Sequence, residues 1–156
     1  EVGIKPIAAH LFILYFGMMS MITPPVAIAA FAAASLTGKD PMATGFAAMR
    51  FGWFAYLVPF LFVSVPELLM EGSTVSIILI LGKTILGIWF ISAAIMGYLI
   101  RHISWMMRGL LALAGFAMFA PSTFIEIGIP LSLIGLILGG GIYALEKVRS
   151  NQNARI

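Results

Sequence analysis

The residues with the clearest chemical potential lie in one uncharged segment, residues 17–27, which reads GMMSMITPPVA. Pro24 and Pro25 carry no amide donor, and Pro24 disfavours helical angles at Thr23, so carbonyls of the preceding turn lose their helical partners. An unpaired carbonyl in hydrocarbon costs on the order of several kcal/mol. The segment therefore predicts a helix break that lines a cavity or binds a cation.

Sodium is the cation that such a break would suit, because it is a hard ion that takes oxygen ligands. The carbonyls of Met21 and Ile22 are candidate metal ligands, together with the hydroxyl of Thr23 or Ser20. Beyond the break, a second half-helix would present free amides and a positive dipole end at residues 26–29, which suits an anionic substrate. The predicted sodium and substrate site comprises Ser20, Met21, Ile22, Thr23, Pro24, Pro25 and Val26.

A simpler interpretation of the two prolines stays open. In it, they only kink a buried helix, and neighbouring helices supply the missing hydrogen bonds. His10 is similarly ambiguous between a proton relay or ligand and an interfacial hydrogen bond, of which the second is favoured. Lys83 within a span is a functional candidate, but extension of its amine to the interface is favoured, and Arg50 is expected to be an interface anchor.

Composition places the whole chain in a membrane. Of its 156 residues, 62% are hydrophobic and 10% are charged, against about 25% charged residues in soluble domains. The sequence has no Cys, no basic surface with interleaved aromatics, and no nucleophile elbow or paired carboxylates. Disulfides, nucleic-acid binding and enzyme chemistry are therefore not expected, and no cofactor is predicted besides Na⁺ as a coupling ion.

Hydropathy predicts an all-α integral membrane protein, a transmembrane helix bundle with one broken (discontinuous) helix. A membrane-spanning helix needs about 20 mostly apolar residues. The broken segment is 6–38, with Pro59 as a possible kink in the next one, and a polar tail from Glu146 is expected to be disordered. The remaining predicted spans are 41–66, 72–100, the short 109–125 and 127–145, the last opened by Pro130.

Charges between the spans alternate in a way that predicts orientation. Lys39 and Arg50 mark one cytoplasmic loop, and Glu67 and Glu71 mark the next loop as extracytoplasmic. The following connections carry Arg101, His102 and Arg108, then Glu126, then Lys147, Arg149 and Arg155. The carboxy terminus is therefore expected in the cytoplasm, after five crossings, or four if the broken segment folds back. The chain begins with Glu1 and is expected to be a fragment.

Two features resemble a known family. Residues 22–27 read ITPPVA, which is similar to a motif in the membrane permeases of tripartite ATP-independent periplasmic (TRAP) transporters. HLFILYFG at 10–17, AAFAAA at 29–34 and DPMATG at 40–45 resemble the fused permeases that pair with TAXI-type binding proteins. The likeness covers residues 5–70 and suggests the carboxy-terminal portion of such a permease. Many members have Gly where this chain has Ala27.

The resemblance implies an elevator-type transporter in the inner membrane. It would be a sodium-coupled symporter for small organic anions, fed by an extracytoplasmic solute-binding protein and completed by the remainder of the permease chain. Residues 1–40 would then be the broken helix of the transport domain and 41–71 a transmembrane helix closing the transport core. Residues 72–148 would be a carboxy-terminal transmembrane extension and 149–156 a cytoplasmic tail. The resemblance assigns sodium binding to Ser20, Met21, Ile22 and Thr23.

Two other classes of function stay open. A non-transporting membrane scaffold or assembly subunit would use helix packing through Gly135 and Gly139, the ends of a GxxxG pattern. A channel or an intramembrane enzyme subunit would need a polar pore lining or a catalytic acid, which the uncharged segments disfavour. Substrate identity, sodium stoichiometry and oligomeric state do not follow from the sequence.

Overall fold

In the computed structural model, residues 3–120 and 131–153 are described, and these form helices without strands. The chain divides into two units, Glu1–Ile77 and Ile78–Ile156. The helices over the described residues are α1 Pro6–Met19, α2 Ile28–Thr37, α3 Pro41–Phe51, α4 Trp53–Ser64, α5 Thr74–Met96, α6 Trp105–Phe119 and α7 Leu131–Asn153, with a short 3₁₀ turn at Pro66–Leu69. The all-helical expectation is confirmed for these residues.

In the first unit, aromatic side chains join α1 to α4. Phe12 and Phe16 both meet the ring of Phe60 edge-on, with ring centres 5.2 and 5.8 Å apart, and Tyr15 meets Phe62 in the same way. Edge-to-face geometry suits the quadrupoles of the rings and adds to the burial of their area. The same unit pairs α2 with α3, where alanines allow close approach.

The segment 41–66 is two helices rather than the expected single one. Asp40 caps the start of α3 and accepts a hydrogen bond from the Ala43 amide at 2.6 Å, which satisfies one of the free amides in the first turn of that helix. The break falls at Gly52, and the axes of α3 and α4 differ there by 45°. Pro59 lies buried inside α4, which continues past it to Ser64. The glycine, and not the proline, separates the two helices.

In the second unit, glycines let three helices approach each other closely. Gly87 of α5 and Gly115 of α6 face each other, since a Cβ on Gly115 would lie 2.9 Å from the Gly87 carbonyl oxygen. A Cβ on Gly135 would lie 2.5 Å from the Ala114 carbonyl oxygen, and one on Gly139 would overlap the ring of Phe90. The helix contact predicted from the GxxxG pattern is confirmed, and it lies inside this unit.

Charged residues close one end of the second unit. Arg101 forms an ion pair with Glu146, which is only 2% exposed, and the hydrogen bond to that carboxylate raises the pKa of Arg101. Arg108 donates to the carbonyls of Ala94 and Ile95 at 2.7 and 2.9 Å and lies over the ring of Trp105. Arg108 is thus part of α6 and caps the end of α5.

The prediction of a disordered tail from Glu146 onwards is wrong for residues 146–153. α7 continues through Asn153, and Glu146 is buried against Arg101 instead of lying in a solvated tail. Burying a carboxylate is costly unless it is paired, and the ion pair with Arg101 meets this need at Glu146. The residues expected to open the last span, 127–130, and the charges of Glu126 and Arg155 lie outside the described residues.

Two of the described helices are long and apolar enough to cross a membrane, Thr74–Met96 and Leu131–Val148. The bent pair of α3 and α4 makes a third if it counts as one span. The helices α1, α2 and α6 are apolar but shorter, as expected for the span around 109–125. Large apolar side chains such as Leu36, Phe51 and Trp105 are mostly exposed, as suits a lipid environment. The orientation and the number of crossings stay predictions.

Adjacent glycines of α7 provide a matched test of this packing. Gly139→Ala is expected to lower the free energy of unfolding by about 1–3 kcal/mol, because the added methyl group overlaps the buried Phe90 ring. Gly140→Ala is the control, since nothing lies within 4 Å of its Cβ position and both changes favour the helix equally. The measurement is thermal unfolding of the detergent-purified protein. Equal unfolding temperatures for the two variants would contradict the contact.

Candidate functional site

Eight non-helical residues, 20–27, separate α1 from α2. The Pro24–Pro25 peptide is cis, and Ala27 has left-handed angles of φ 33° and ψ 42°. Ala27 is fully buried. Two separate helices therefore flank the predicted proline site. Whether they act as the two halves of one discontinuous membrane helix stays a prediction.

The break satisfies much of its own backbone. The Ala27 amide donates to the carbonyls of Ser20 and Thr23 at 3.1 and 3.0 Å, and the Ala29 amide donates to the Met21 carbonyl at 3.0 Å. The first turn of α2 thus supplies partners to carbonyls that α1 leaves behind. Among the described residues, no backbone amide donates to the carbonyl of Ile22. Of the two predicted carbonyl ligands, Met21 is already an acceptor and Ile22 is the freer.

The amides expected to face an anion are only partly available. Ala27 and Ala29 use their amides inside the break, as described above. Within the described residues, the amides of Val26 and Ile28 have no backbone acceptor, and both residues are more than half exposed. Only every second amide at the start of α2 is therefore open to an anion. The sequence interpretation expected all the amides of residues 26–29 to be free.

The Thr23 hydroxyl lies between two other oxygen atoms. It is 2.5 Å from the Met19 carbonyl oxygen and 2.5 Å from the hydroxyl oxygen of Tyr56 on α4. Three oxygens therefore meet on the side of the break that faces α4, where Thr23 and Tyr56 are both half-buried. Clustered oxygen atoms are the kind of donor set that hard cations accept. Sequence reasoning found Thr23 but missed Tyr56, whose only signal was a hydroxyl in a largely apolar helix.

The other predicted site residues divide into two groups. Ile22 and Pro24 are half-buried like Thr23, whereas Ser20, Met21, Pro25 and Val26 are exposed. The hydroxyl of Ser20 donates to the Gly17 carbonyl of its own helix at 2.6 Å. Ser20 is therefore not brought to Thr23, and its hydroxyl does not join the oxygen cluster.

The bent pair of α3 and α4 packs closely against the half-buried residues of the break, Ile22, Thr23 and Pro24. A Cβ on Gly45 would lie 2.7 Å from Pro24, and one on Gly52 would lie 3.0 Å from Ile22. Tyr56 follows Gly52 by four residues and meets Thr23. Gly45 thus lies in α3, Gly52 at the bend and Tyr56 in α4. The bent pair contacts three successive residues of the break.

Each of the remaining polar candidates, His10 and Lys83, contacts a backbone carbonyl. His10 donates through Nδ1 to the Pro6 carbonyl of its own helix at 2.6 Å, and its position at a membrane interface stays a prediction. The amine of Lys83 lies 3.4 Å from the Ala120 carbonyl at the end of α6, where a positive charge suits the helix dipole. No group of three His, Cys, Asp or Glu side chains able to hold a metal occurs among the described residues.

Gly45 tests whether α3 holds the break in place. Gly45→Ala is expected to lower the free energy of unfolding by about 1–3 kcal/mol relative to Gly17→Ala, since its methyl group would overlap Pro24. Gly17 in α1 has nothing within 4 Å of its Cβ position, so both variants share the gain in helix propensity. Thermal unfolding in detergent measures the difference. A Gly45→Ala variant as stable as Gly17→Ala would mean that the break is not packed on α3.

One comparison with known proteins returns a match. No curated protein and no solved structure matches the chain. A family model does match, over residues 1–77, which is just under half of the 156 residues. The matched range coincides with the first structural unit and contains both the break and the oxygen cluster. The family is described as the Tripartite ATP-independent periplasmic transporter, DctM component.

Proposed function

We propose that this chain is part of the membrane permease of a sodium-coupled TRAP transporter that imports small organic anions. The family match over residues 1–77 supports a permease role. The observation that carries the sodium part is the oxygen cluster of Met19, Thr23 and Tyr56 in the break between two apolar helices. A solute-binding protein outside the membrane would deliver the substrate, and the rest of the permease would complete the site.

Sodium would bind on the side of the break that faces α4. The Thr23 hydroxyl is the central ligand in this proposal, because it lies within 2.5 Å of two further oxygens. The Ile22 carbonyl is the next candidate, since no described backbone amide donates to it. The Met21 carbonyl retains a second lone pair beyond its hydrogen bond to Ala29. Together these groups supply part of an oxygen shell, and further ligands would come from elsewhere in the transporter.

The substrate carboxylate would lie at the start of α2. Amides of Val26 and Ile28 are available there, and the helix dipole favours a negative charge. A sodium ion a few residues away would add to this attraction. Such an arrangement couples the two ligands electrostatically, because each lowers the cost of binding the other in a medium of low dielectric constant.

A scaffold function has less support. It would use Gly135 and Gly139 as a surface for another protein, but both glycines are occupied inside the second unit by α6 and Phe90. A face already packed within the unit is not available to a partner. The transporter proposal is therefore preferred.

The proposed function is tested by uptake into proteoliposomes. The assembled transporter containing this chain would be reconstituted with its candidate binding protein, and uptake of a panel of radiolabelled small carboxylates measured with and without an inward sodium gradient. Uptake that needs both the gradient and the binding protein is the expected result. Uptake that is equal in a potassium-only buffer would refute sodium coupling while leaving transport itself intact.

Thr23 provides the first mutational test. Thr23→Ala is expected to raise the sodium concentration for half-maximal uptake about 10- to 150-fold, because losing a ligand of a charged group costs roughly 1.5–3 kcal/mol. Thr23→Ser keeps the hydroxyl and is the matched control, with sodium dependence close to that of the unmodified protein. Initial uptake rates across a sodium titration give both values. An unchanged half-saturating concentration in the alanine variant would remove Thr23 from the site.

Pro24 and Pro25 provide the second mutational test. Replacing Pro24 and Pro25 together by alanine restores two amide donors and lets α1 extend through the break, so uptake is expected to be lost while membrane insertion is kept. Pro41→Ala is the control, since Pro41 begins α3 where an amide is not needed. Uptake is measured beside the amount of protein in the membrane. Retained uptake in the double variant would show that transport does not need the break.

A further inference from the structure

We propose that Tyr56 is a positioning residue for the sodium site, acting through the hydroxyl of Thr23. This inference rests on the proposed function and adds to it a residue that lies on a different helix from the break. The two hydroxyl oxygens are 2.5 Å apart across 33 residues of chain. It is a polar side-chain contact between α4 and the break.

Counting protons fixes the direction of the hydrogen bond. Thr23 has one hydroxyl proton, and a carbonyl oxygen such as that of Met19 can only accept. The Thr23 proton therefore goes to Met19 at 2.5 Å, and the proton between the two hydroxyls belongs to Tyr56. With one lone pair of Thr23 accepting from Tyr56, a single lone pair is left. Tyr56 thus limits Thr23 to one direction in which it can coordinate an ion.

The surroundings keep this geometry in place. Gly45 and Gly52 let the bent helix pair approach Pro24 and Ile22, the two neighbours of Thr23. Pro59, one turn further along α4, is almost fully buried, so the Tyr56 backbone is anchored beside a packed position. A half-buried hydroxyl pair between apolar helices has little water to replace a lost partner, and a lost hydrogen bond there is not easily repaired.

Tyr56→Phe removes only the hydroxyl. The half-saturating sodium concentration for uptake is expected to rise about 2- to 10-fold, the equivalent of one neutral hydrogen bond. The maximal rate at saturating sodium is expected to stay within the range of the unmodified transporter. Tyr15→Phe is the matched control, because Tyr15 lies in the same unit and makes an edge-on ring contact with Phe62. Its variant should titrate like the unmodified protein.

A purely structural role for Tyr56 gives a different result. It would lower the number of active transporters and so the maximal rate, but the half-saturating sodium concentration does not depend on that number. An unchanged half-saturating concentration would therefore overturn the inference. A decreased value would overturn it too, since Tyr56 would then compete with sodium for the Thr23 oxygen.

The double variant tests whether Tyr56 acts through Thr23. In the Thr23→Ala background, adding Tyr56→Phe is expected to cause no further rise, whereas in the Thr23→Ser background it should cause the full rise. Equal rises in both backgrounds would mean that Tyr56 acts independently of Thr23. If the unmodified transporter shows no sodium dependence at all, the proposed function fails; if it does and Tyr56→Phe changes nothing, only this inference fails.

Discussion

The first unit depends on the pairing of backbone groups at the break between α1 and α2. Residues 20–27 leave the helical ladder in an apolar part of the chain, and each unpaired amide or carbonyl there is costly. The amides of Ala27 and Ala29 meet this demand by donating to three carbonyls of the break. The start of α2 thereby closes the end of α1. Among the described residues, the Ile22 carbonyl and the amides of Val26 and Ile28 are left without a backbone partner.

The two units reach stability by different means. The first combines aromatic contacts between α1 and α4 with a break that is supported by Gly45 and Gly52. The second unit has no such break among its described residues and relies on the close approach of helix backbones at glycines. An ion pair between Arg101 and Glu146 adds a contact at one end of this unit.

Much of the helical fold could be predicted from the sequence, because hydropathy and the two prolines are local signals. α5 falls inside the predicted span 72–100, and the non-helical residues fall around Pro24 as expected. The bend at Gly52 could not be foreseen, since Pro59 gave the stronger local signal and the contact with Ile22 is tertiary. Tyr56 and Glu146 were missed for the same reason, because their partners lie 33 and 45 residues away.

Ala27 carries a consequence for how substitutions in this region should be ranked. A left-handed conformation costs an alanine roughly 1–2 kcal/mol, and glycine escapes that cost. At this buried position with φ 33°, glycine is therefore favoured over alanine, which is the opposite of their order inside a helix. A mutational scan scored by helix propensity would misjudge this position, and any β-branched residue would be tolerated least. Residue 27 belongs to the turn, although its neighbours in sequence read as helix.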